Sequence, residues 1–383
     1  MRILLLQDVD YLPSYGGGNK ANRLLLTELA ARGHECTAVC RAPVLRQPAQ
    51  PRFDGSGLSA RGVQVHQADE KRACYRYDDV QVEALNLGTA PMGPSVHEAI
   101  DRAMPDWILV SDDRQHSMLE AALQITQNRV VQLVHTHLHL PFGPEARTQN
   151  PDQLARMREV RGILSASQYT RTYLRQHGQL DSMLFRFPVY GRGPFSRPSQ
   201  PKAGYVTLIN PCLMKGLPIF IELASEFPDV AFAAVPTWGA DDSAIRALTA
   251  LRNVRLLEPS DDIGQILGRT QVLLAPSLIP ETFGYVAVDA MLRGIPVMAS
   301  DLGGLPEAKL GVDYLLPVSP AVWDGNAHTA PAQDMGPWFR TLRSLLSDLE
   351  LYELSSRASR EAALRFVAGI DVAQVETYLA ALS

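Results

Sequence analysis

Cysteine is scarce in this sequence, and its placement excludes a secreted domain held together by disulfides. The 383 residues include only Cys36, Cys40, Cys74 and Cys212. These form no C-x-x-C pair and no recognisable disulfide framework, a usage that favours a reducing compartment. We therefore expect a cytoplasmic protein.

Long apolar runs and excess positive charge are also missing. No apolar run is long enough to span a bilayer, and the opening MRILLLQDVD is too short in apolar residues before Asp8 for a signal peptide, so we predict a first strand there. The formal net charge of −5 argues against a general nucleic-acid binder, because phosphate backbones require basic surfaces. Arginine outnumbers lysine strongly, a bias that indicates a GC-rich bacterial genome.

The length of the chain and its alternating segments predict two α/β domains. A chain of 383 residues is too long for one ordinary hydrophobic core, and 46% hydrophobic with 20% charged residues is typical of a soluble globular protein. In both halves, apolar strands alternate with helical periodicity, which predicts parallel doubly wound sheets. We predict an N-terminal domain at 1–188, a linker rich in Pro and Gly at 189–204, and a C-terminal domain at 205–370.

The predicted strands lie at 2–7, 35–40, 106–111, 130–135, 162–167, 205–209, 230–235, 254–257, 271–277 and 295–300. The predicted helices lie at 19–32, 117–126, 169–177, 218–226, 242–251, 261–269, 285–293, 336–348, 351–368 and 371–382. Residues 41–62 show no periodicity and are interpreted as a long surface loop.

The chain is organised around residues 276–307, PSLIPETFGYVAVDAMLRGIPVMASDLGGLPE. A buried strand leads into a turn at Glu281, and a helix follows that stops at Gly294. This order places the turn and the helix N-terminus at the carboxyl end of a parallel sheet, where α/β folds bind ligands. The amides at 283–286 and the positive end of the helix would suit a phosphate group.

This string resembles the glutamate–seven residues–glutamate signature of family 4 glycosyltransferases, which are retaining enzymes with the GT-B fold. The resemblance implies that Glu281 lies beside the donor sugar and that Asp289, one methylene shorter than the family's glutamate, binds the nucleotide ribose. It also implies two Rossmann-like domains with an interdomain cleft, and a last helix at 371–383 that packs back on the N-terminal domain. The turn would give amides to the diphosphate from Phe283, Gly284, Tyr285 and Val286.

A second stretch, VTLINPCLMKG at 206–216, matches the family pattern in part. Lys215 matches a lysine that clamps the donor diphosphate, whereas Asn210 stands where the family has an arginine. The departure removes one positive charge, and a neutral amide donates a hydrogen bond roughly half as strong as a charged one. Without the resemblance, Lys215 would be interpreted as a solvated lysine at a helix start.

Three histidines, His135, His137 and His139, follow at a period of two in VVQLVHTHLHL. On a strand they would share one face. Imidazole is a common zinc ligand, but no carboxylate or cysteine joins them at ligand spacing, so we favour a polar strand end near a cleft over a metal site. The resemblance implies that His135 hydrogen-bonds a sugar hydroxyl or the departing phosphate oxygen, with His137 as the alternative.

Gly16, Gly17 and Gly18 precede the first predicted helix and allow two interpretations. They fit G-x-G-x-x-A, the dinucleotide-binding fingerprint, but a long loop separates them from the first strand, and Arg41 stands where an acidic residue should end the second. In family 4 a glycine-rich loop after the first strand closes over the donor phosphates and the acceptor, and this opening resembles it. We therefore favour donor binding over a simple close helix start.

Together, the resemblance implies a retaining glycosyltransferase that needs neither a metal nor a cofactor. It would move a sugar from a nucleotide diphosphate donor, of UDP or GDP type, to an acceptor hydroxyl on a small molecule, a saccharide or a lipid. The acceptor is expected near 8–18, 41–62 and 147–175, and arginines in the last stretch allow contact with a membrane surface, although solvated helix arginines are the favoured interpretation.

Three other functions stay open. A nucleotide-sugar epimerase or phosphorylase would share the fold. A catalytically silent nucleotide-sugar-binding protein is compatible with the departures at Asn210 and Asp289. A nicotinamide-dependent oxidoreductase rests on the glycine pattern alone.

Overall fold

A computed structural model describes residues 1–14, 16–42, 44–45, 52–53, 56–69, 71–86, 92–111, 115–198, 203–325 and 327–383. Parts of the predicted loop at 41–62 and of the predicted linker at 189–204 lie outside these residues. The chain divides into two units, Met1–Gly191 with Ile370–Ser383, and Arg192–Gly369.

The strands of the first unit are β1 (Arg2–Gln7), β2 (Glu35–Arg41), β3 (Val44–Leu45), β4 (Arg52–Phe53), β5 (Val65–Ala68), β6 (Arg72–Tyr77), β7 (Val80–Leu85), β8 (Trp107–Ser111), β9 (Val130–Val134), β10 (Gly162–Ser165) and β11 (Met183–Leu184). Its helices are α1 (Gly17–Ala31), α2 (Ser56–Ser59), α3 (Met92–Ala103), α4 (Ser117–Ile125), α5 (Pro151–Glu159) and α6 (Gln168–Tyr173), which the π-helix Leu174–Gly178 continues.

One nine-stranded sheet, in the order β11-β10-β9-β8-β1-β2-β7-β6-β5, forms the centre of this unit. The pairs from β11 to β7 are parallel, and β6 adds to β7 in antiparallel orientation. The parallel strands are almost continuously apolar because helices cover such a sheet on both faces. Leu4, Leu6 and Val110 lie in the resulting core.

The β5–β7 segment lies outside the strands predicted from the sequence. Asp78 and Asp79 connect β6 to β7, and both have positive φ angles, 47° and 61°. Two residues of positive φ make the tight turn that fits the twist of a hairpin. The usual sequence signal for such a turn is Asn-Gly or Asp-Gly, so an Asp-Asp pair concealed it.

The strands of the second unit are β12 (Tyr205–Ile209), β13 (Phe232–Val235), β14 (Val254–Leu256), β15 (Thr270–Ala275), β16 (Val297–Ser300), β17 (Leu315–Leu316), β18 (Val322–Trp323) and β19 (His328–Thr329). Its helices are α7 (Leu217–Glu226), α8 (Asp242–Thr249), α9 (Ile263–Leu267), α10 (Tyr285–Leu292), α11 (Leu305–Ala308), α12 (Gly336–Ser347) and α13 (Leu349–Ala368). A six-stranded parallel sheet has the order β14-β13-β12-β15-β16-β17, so the predicted α/β class with parallel sheets is confirmed.

The last helix, α14 (Ala373–Leu382), belongs to the first unit. Glu376 on α14 accepts hydrogen bonds at 2.6 and 2.8 Å from Arg32, and its carboxylate lies 2.8 Å from His34 Nε2. The hydrogen bond from Arg32, with help from His34, lowers the pKa of Glu376 to about 2. Arg161 Nε donates to the carbonyl of Leu382 at 2.7 Å. Among the described helices, none has both the length and the apolar character needed to cross a membrane.

Lys309 is a fully buried lysine in the second unit. It follows α11, and its Nζ donates a 2.6 Å hydrogen bond to the carbonyl oxygen of Val297 in β16. Burial lowers the pKa of Lys309 to about 7, and the nearby charge of Asp313 opposes this shift only in part. The folded protein therefore holds this amine with little preference for its charged form at neutral pH.

This burial predicts that stability depends on pH through Lys309. The ordinary lysine pKa is 10.5, so between pH 7 and about 10 the unfolded chain binds up to one more proton than the folded protein. For this group the free energy of unfolding rises with pH, by about 1.4 kcal/mol per unit within the window. Lys309→Met should therefore gain most over wild type at pH 7 and lose roughly half of that gain by pH 9, since the rest disappears only near the ordinary lysine pKa of 10.5. Urea unfolding at pH 7, 8 and 9 measures the difference, and a difference independent of pH contradicts the prediction.

Candidate functional site

The carboxyl ends of β12 and β15, neighbours in the second sheet, bring two predicted site residues together. Lys215 ends a short 3-10 helix after β12, and Glu281 follows β15. Lys215 Nζ donates a close hydrogen bond to Glu281 Oε1, and the hydroxyl of Ser277 donates to the same oxygen. The Lys215 and Glu281 side chains are 25% and 18% exposed, so both are accessible to a ligand from solvent.

Backbone contacts hold these two loops against each other. The amide of Leu278 donates to the carbonyl of Met214 at 2.9 Å. Gly216, at φ +82°, lies so close to the other loop that a Cβ there would be 2.0 Å from the carbonyl oxygen of Pro276. A glycine is therefore required directly after Lys215, for its positive φ and for the close approach.

The backbone of Glu281 is fixed from its other side. Glu281 forms a parallel bridge with Gly303, and the amide of Gly304 donates to the Glu281 carbonyl at 2.6 Å. A Cβ on Gly303 would be 2.5 Å from the Glu281 nitrogen. The position of this carboxylate is thus set by tertiary contacts on both sides of its loop.

The helix after Glu281 begins and ends close to the predicted residues. α10 is Tyr285–Leu292, one residue shorter than predicted, and Gly284 caps its N-terminus at φ 105° without a side chain. At its C-terminus, Gly294 has φ +69° and its amide donates to Met291, while the amide of Ile295 donates to Ala290. These two bonds form a Schellman motif, which explains the predicted stop at Gly294.

Phe283 lies in the turn between Glu281 and α10. Its side chain is buried and stacks on Phe366, with ring centroids 5.7 Å apart. This anchors the turn in the core of the second unit. The amides of Gly284, Tyr285 and Val286, which are predicted to bind the donor, lie next to that of Phe283 at the positive end of α10.

Asp289 lies on α10, and its carboxylate contacts the side chain of Arg293. Its carboxylate is 3.3 Å from Arg293 Nη1, which also donates to the Asp289 carbonyl at 2.9 Å. The Asp289 side chain is only 7% exposed. A ribose would have to share this carboxylate with Arg293, and ribose binding stays a prediction.

Asn210 faces the protein. It has φ +61°, and its Oδ1 accepts a 2.9 Å hydrogen bond from the amide of Gly239. Its Nδ2 is buried and has no hydrogen-bond partner among the described residues. The side-chain oxygen therefore stabilises the turn after β13, and the expected donation from Nδ2 to a diphosphate stays a prediction.

In the first unit, the predicted shared face of the three histidines is wrong. β9 ends at Val134, and the chain then turns, with the amide of Leu140 donating to the His137 carbonyl at 3.0 Å. His137 is buried and packs edge-on against Tyr169 at 5.5 Å, and the alternative role given to it stays a prediction. In the described part of the chain, no three His, Cys, Asp or Glu residues are placed to hold a metal ion.

His135 joins a buried polar network. Its Nε2 is 2.7 Å from Asn22 Oδ1, and its ring lies 4.3 Å from that of Phe187. Burial lowers the pKa of His135 to about 3, so the imidazole is neutral. A polar cavity of about 20 Å³ adjoins it, lined in part by His116 and Gln132.

Asn22 belongs to this network but was not among the predicted site residues, although the sequence contains a signal for it. Asn22 is fully buried on α1 together with Leu25, Leu26 and Leu29. Its spacing of three, four and seven residues from these leucines places a polar side chain on the apolar face of the helix. Buried polar groups require partners, so this position indicated a hydrogen-bond network.

The glycine-rich segment forms the start of α1. The helix begins at Gly17, two residues earlier than predicted, with Gly16 as its N-cap at φ 105°. Gly17 and Gly18 thus occupy the first helical turn, where amides lack partners within the helix. β1 ends at Gln7, well before these glycines, and β2 ends at Arg41, so the geometry differs from the dinucleotide fingerprint.

Arginines considered for a membrane surface mostly bind protein groups. Arg156 pairs with Glu120 at 3.2 Å, and Arg175 pairs with Asp181 at 2.9 Å. Arg161 binds the C-terminal helix as described above. These three side chains contact other groups of the first unit, and contact with a membrane surface stays a prediction.

Part of the second unit matches a known protein family. Residues 201–324 match the family model described as glycosyl transferases group 1. This segment contains Lys215, Ser277, Glu281 and the whole of α10.

Curated relatives match over a shorter part of the chain. The D-inositol 3-phosphate glycosyltransferase of Mycobacterium sp. (strain KMS) is 31% identical over 160 residues, 39% of this chain and 33% of that protein. The phosphatidyl-myo-inositol mannosyltransferase of Mycobacterium tuberculosis (strain CDC 1551 / Oshkosh) is 32% identical over 130 residues, 32% of each chain. The alignment thus spans about a third of the length of these relatives.

Solved structures match over the whole chain. Sucrose-phosphate synthase from Thermosynechococcus elongatus aligns with a TM-score of 0.70 and 17% identity, covering 100% of both chains. Anabaena Alr3699/HepE in complex with UDP and glucose aligns with a TM-score of 0.70 and 19% identity, covering 99% of this chain and 98% of that one. The predicted GT-B fold is confirmed, and so is the resemblance to glycosyltransferases of that fold; membership of family 4 stays a prediction.

Proposed function

We propose that this protein is a retaining, metal-independent glycosyltransferase that transfers a sugar from a nucleotide diphosphate donor, of UDP or GDP type, to an acceptor hydroxyl. The observation that carries the proposal is the contact of Lys215 and Ser277 with Glu281 at the carboxyl ends of β12 and β15. It lies inside the segment matched by the glycosyltransferase family model. A structural neighbour that holds UDP and glucose supports the donor class.

The paired charges suit the charge separation that sugar transfer requires. Breaking the bond between the anomeric carbon and the diphosphate leaves negative charge on the departing oxygen and positive charge on the sugar. Lys215, with the amides and the positive end of α10, would stabilise the departing diphosphate. Glu281 would then face the sugar, where a fixed negative charge lowers the energy of the positively charged transition state.

The same arrangement supports a retaining reaction without a metal. The acceptor hydroxyl would attack from the face that the diphosphate leaves, and its proton would pass to the departing phosphate oxygen. Because a neutral Asn210 stands where the family has an arginine, the positive charge for the diphosphate would rest on Lys215 and α10. The roles given to His135, Gly16, Gly17 and Gly18 rest on the family resemblance, and the acceptor is proposed to be a small molecule, a saccharide or a lipid.

Donor binding is tested by thermal shift with UDP-glucose, GDP-mannose, UDP and GDP. A nucleotide that binds the folded protein raises its melting temperature by mass action. Lys215→Met should weaken binding of the preferred nucleotide by roughly tenfold or more, since hydrogen bonds to charged groups contribute about 1.5–3 kcal/mol. Arg343→Met is the matched control, because Arg343 forms an exposed ion pair with Glu226 in the same unit.

Three outcomes would contradict the proposal in different ways. No shift with any nucleotide removes the donor class. A shift without sugar transfer across a panel of acceptors favours the silent binding protein. Appearance of an isomerised sugar when donor alone is incubated with the protein favours an epimerase.

A further inference from the structure

The buried network around His135 is anchored by two groups whose hydrogen-bonding roles are fixed. Gln7 Nε2 lies 3.2 Å from the carbonyl oxygens of both Val9 and Asp10. A carbonyl oxygen can only accept, so the Gln7 nitrogen points at these two groups and its Oε1 faces the other way. Gln7 is itself fully buried at the end of β1.

The orientation of Gln7 determines that of Asn22. Asn22 Nδ2 donates to Gln7 Oε1 at 3.1 Å and to Ser111 Oγ at 2.9 Å. With its nitrogen committed to these partners, Asn22 presents its oxygen to His135. An amide oxygen only accepts, so the imidazole Nε2 at 2.7 Å must carry the hydrogen.

We propose that Asn22 is a positioning residue that holds His135 as its neutral Nε2–H tautomer. Nδ1 then carries the lone pair, and every hydrogen bond it makes is one that it accepts. A sugar hydroxyl can donate to such an atom, whereas a departing phosphate oxygen cannot use it. The part of this inference that concerns a sugar rests on the proposed function, but the tautomer does not.

The burial of the network supports this assignment. Gln7 and Asn22 are 0% exposed, Ser111 is 1% exposed and His135 is 8% exposed, so water does not compete for the bonds between them. Low exposure also keeps His135 uncharged across the physiological range, in line with its lowered pKa. In a neutral ring, fixing the proton on one nitrogen fixes the role of the other.

The tautomer is measured directly by ¹⁵N NMR of protein labelled at histidine. The His135 signals are assigned from their loss in His135→Gln, and we expect a protonated Nε2 and an unprotonated Nδ1 in the wild type. Ser111→Ala leaves the Asn22–His135 bond in place and should keep this pattern. Asn22→Leu removes the acceptor and should yield a mixture of tautomers. A wild-type signal with the proton on Nδ1, or an unchanged pattern in Asn22→Leu, overturns the proposal.

Transfer kinetics provide the second readout. Asn22→Leu should lower turnover about tenfold, the effect of one hydrogen bond of about 1.4 kcal/mol. In a His135→Ala background the same change should have no further effect, because Asn22 acts through the imidazole. An equal loss in both backgrounds overturns the positioning role. If the tautomer is as expected but no sugar is transferred, the proposed function fails while the assignment of the proton stands.

Discussion

Glu281→Gln is expected to lower sugar transfer by on the order of 10²–10³-fold, the usual size of a lost electrostatic contribution to a transition state. The substitution keeps the shape of the side chain and the acceptor oxygen for Ser277, but removes the charge that faces Lys215. Nucleotide binding should stay within a few-fold of wild type. Lys215 loses its protein counter-charge and remains available to the diphosphate.

The kinetic pattern separates this role from a structural one. If Glu281 acts on the transition state alone, kcat and kcat/KM should fall together while the nucleotide thermal shift is kept. Glu226→Gln is the matched control, since Glu226 also forms an ion pair in the second unit, with Arg343. Glu226 is the last residue of α7, whereas Lys215 lies just before the first residue of that helix. Transfer at the wild-type rate by Glu281→Gln would show that the carboxylate has no part in the reaction.

Residues with local signals could be located from the sequence. α10 and its stop at Gly294 were predicted to within one residue because a helix and its C-cap depend on contacts between near neighbours. Glu281 could be placed at the carboxyl edge of the sheet because its turn follows a buried parallel strand, whereas Lys215 was assigned through the family resemblance. Their direct contact joins residues 66 positions apart, and no local signal in the sequence indicates it.

Residues whose role depends on contacts with residues far away in the sequence could not be assigned in this way. Asn210 was interpreted as a weak substitute for an arginine, yet its amide holds a turn 29 residues away through Gly239. Asp289 is a different case, since its partner Arg293 is only four residues away, directly after α10, yet the spacing alone did not indicate the ion pair. For His135, the period of two predicted a strand face, but the strand ends one residue earlier, where its pairing with β8 and β10 stops.

Gly216→Ala is expected to be the most destabilising small substitution near the site. A side chain at φ +82° costs about 1–2 kcal/mol because of the left-handed backbone. The new Cβ would also lie 2.0 Å from the carbonyl oxygen of Pro276, so the two loops must separate. Overpacking of this kind costs roughly 1–3 kcal/mol, for a total of roughly 2–5 kcal/mol.

Gly311→Ala separates the two contributions. Gly311 has nearly the same backbone angle, φ +80°, but a Cβ there would meet no atom within 4 Å. Thermal unfolding of both variants should show the loss from the left-handed backbone in Gly311→Ala and a clearly larger loss in Gly216→Ala. Because the Pro276 contact also sets the distance between Lys215 and Glu281, Gly216→Ala should lose transfer below its melting temperature, while Gly311→Ala keeps it. Equal losses of stability would mean that the close approach of Gly216 to Pro276 is not needed to hold the two loops together. The position of Lys215 beside Glu281 would then have to be set by other contacts.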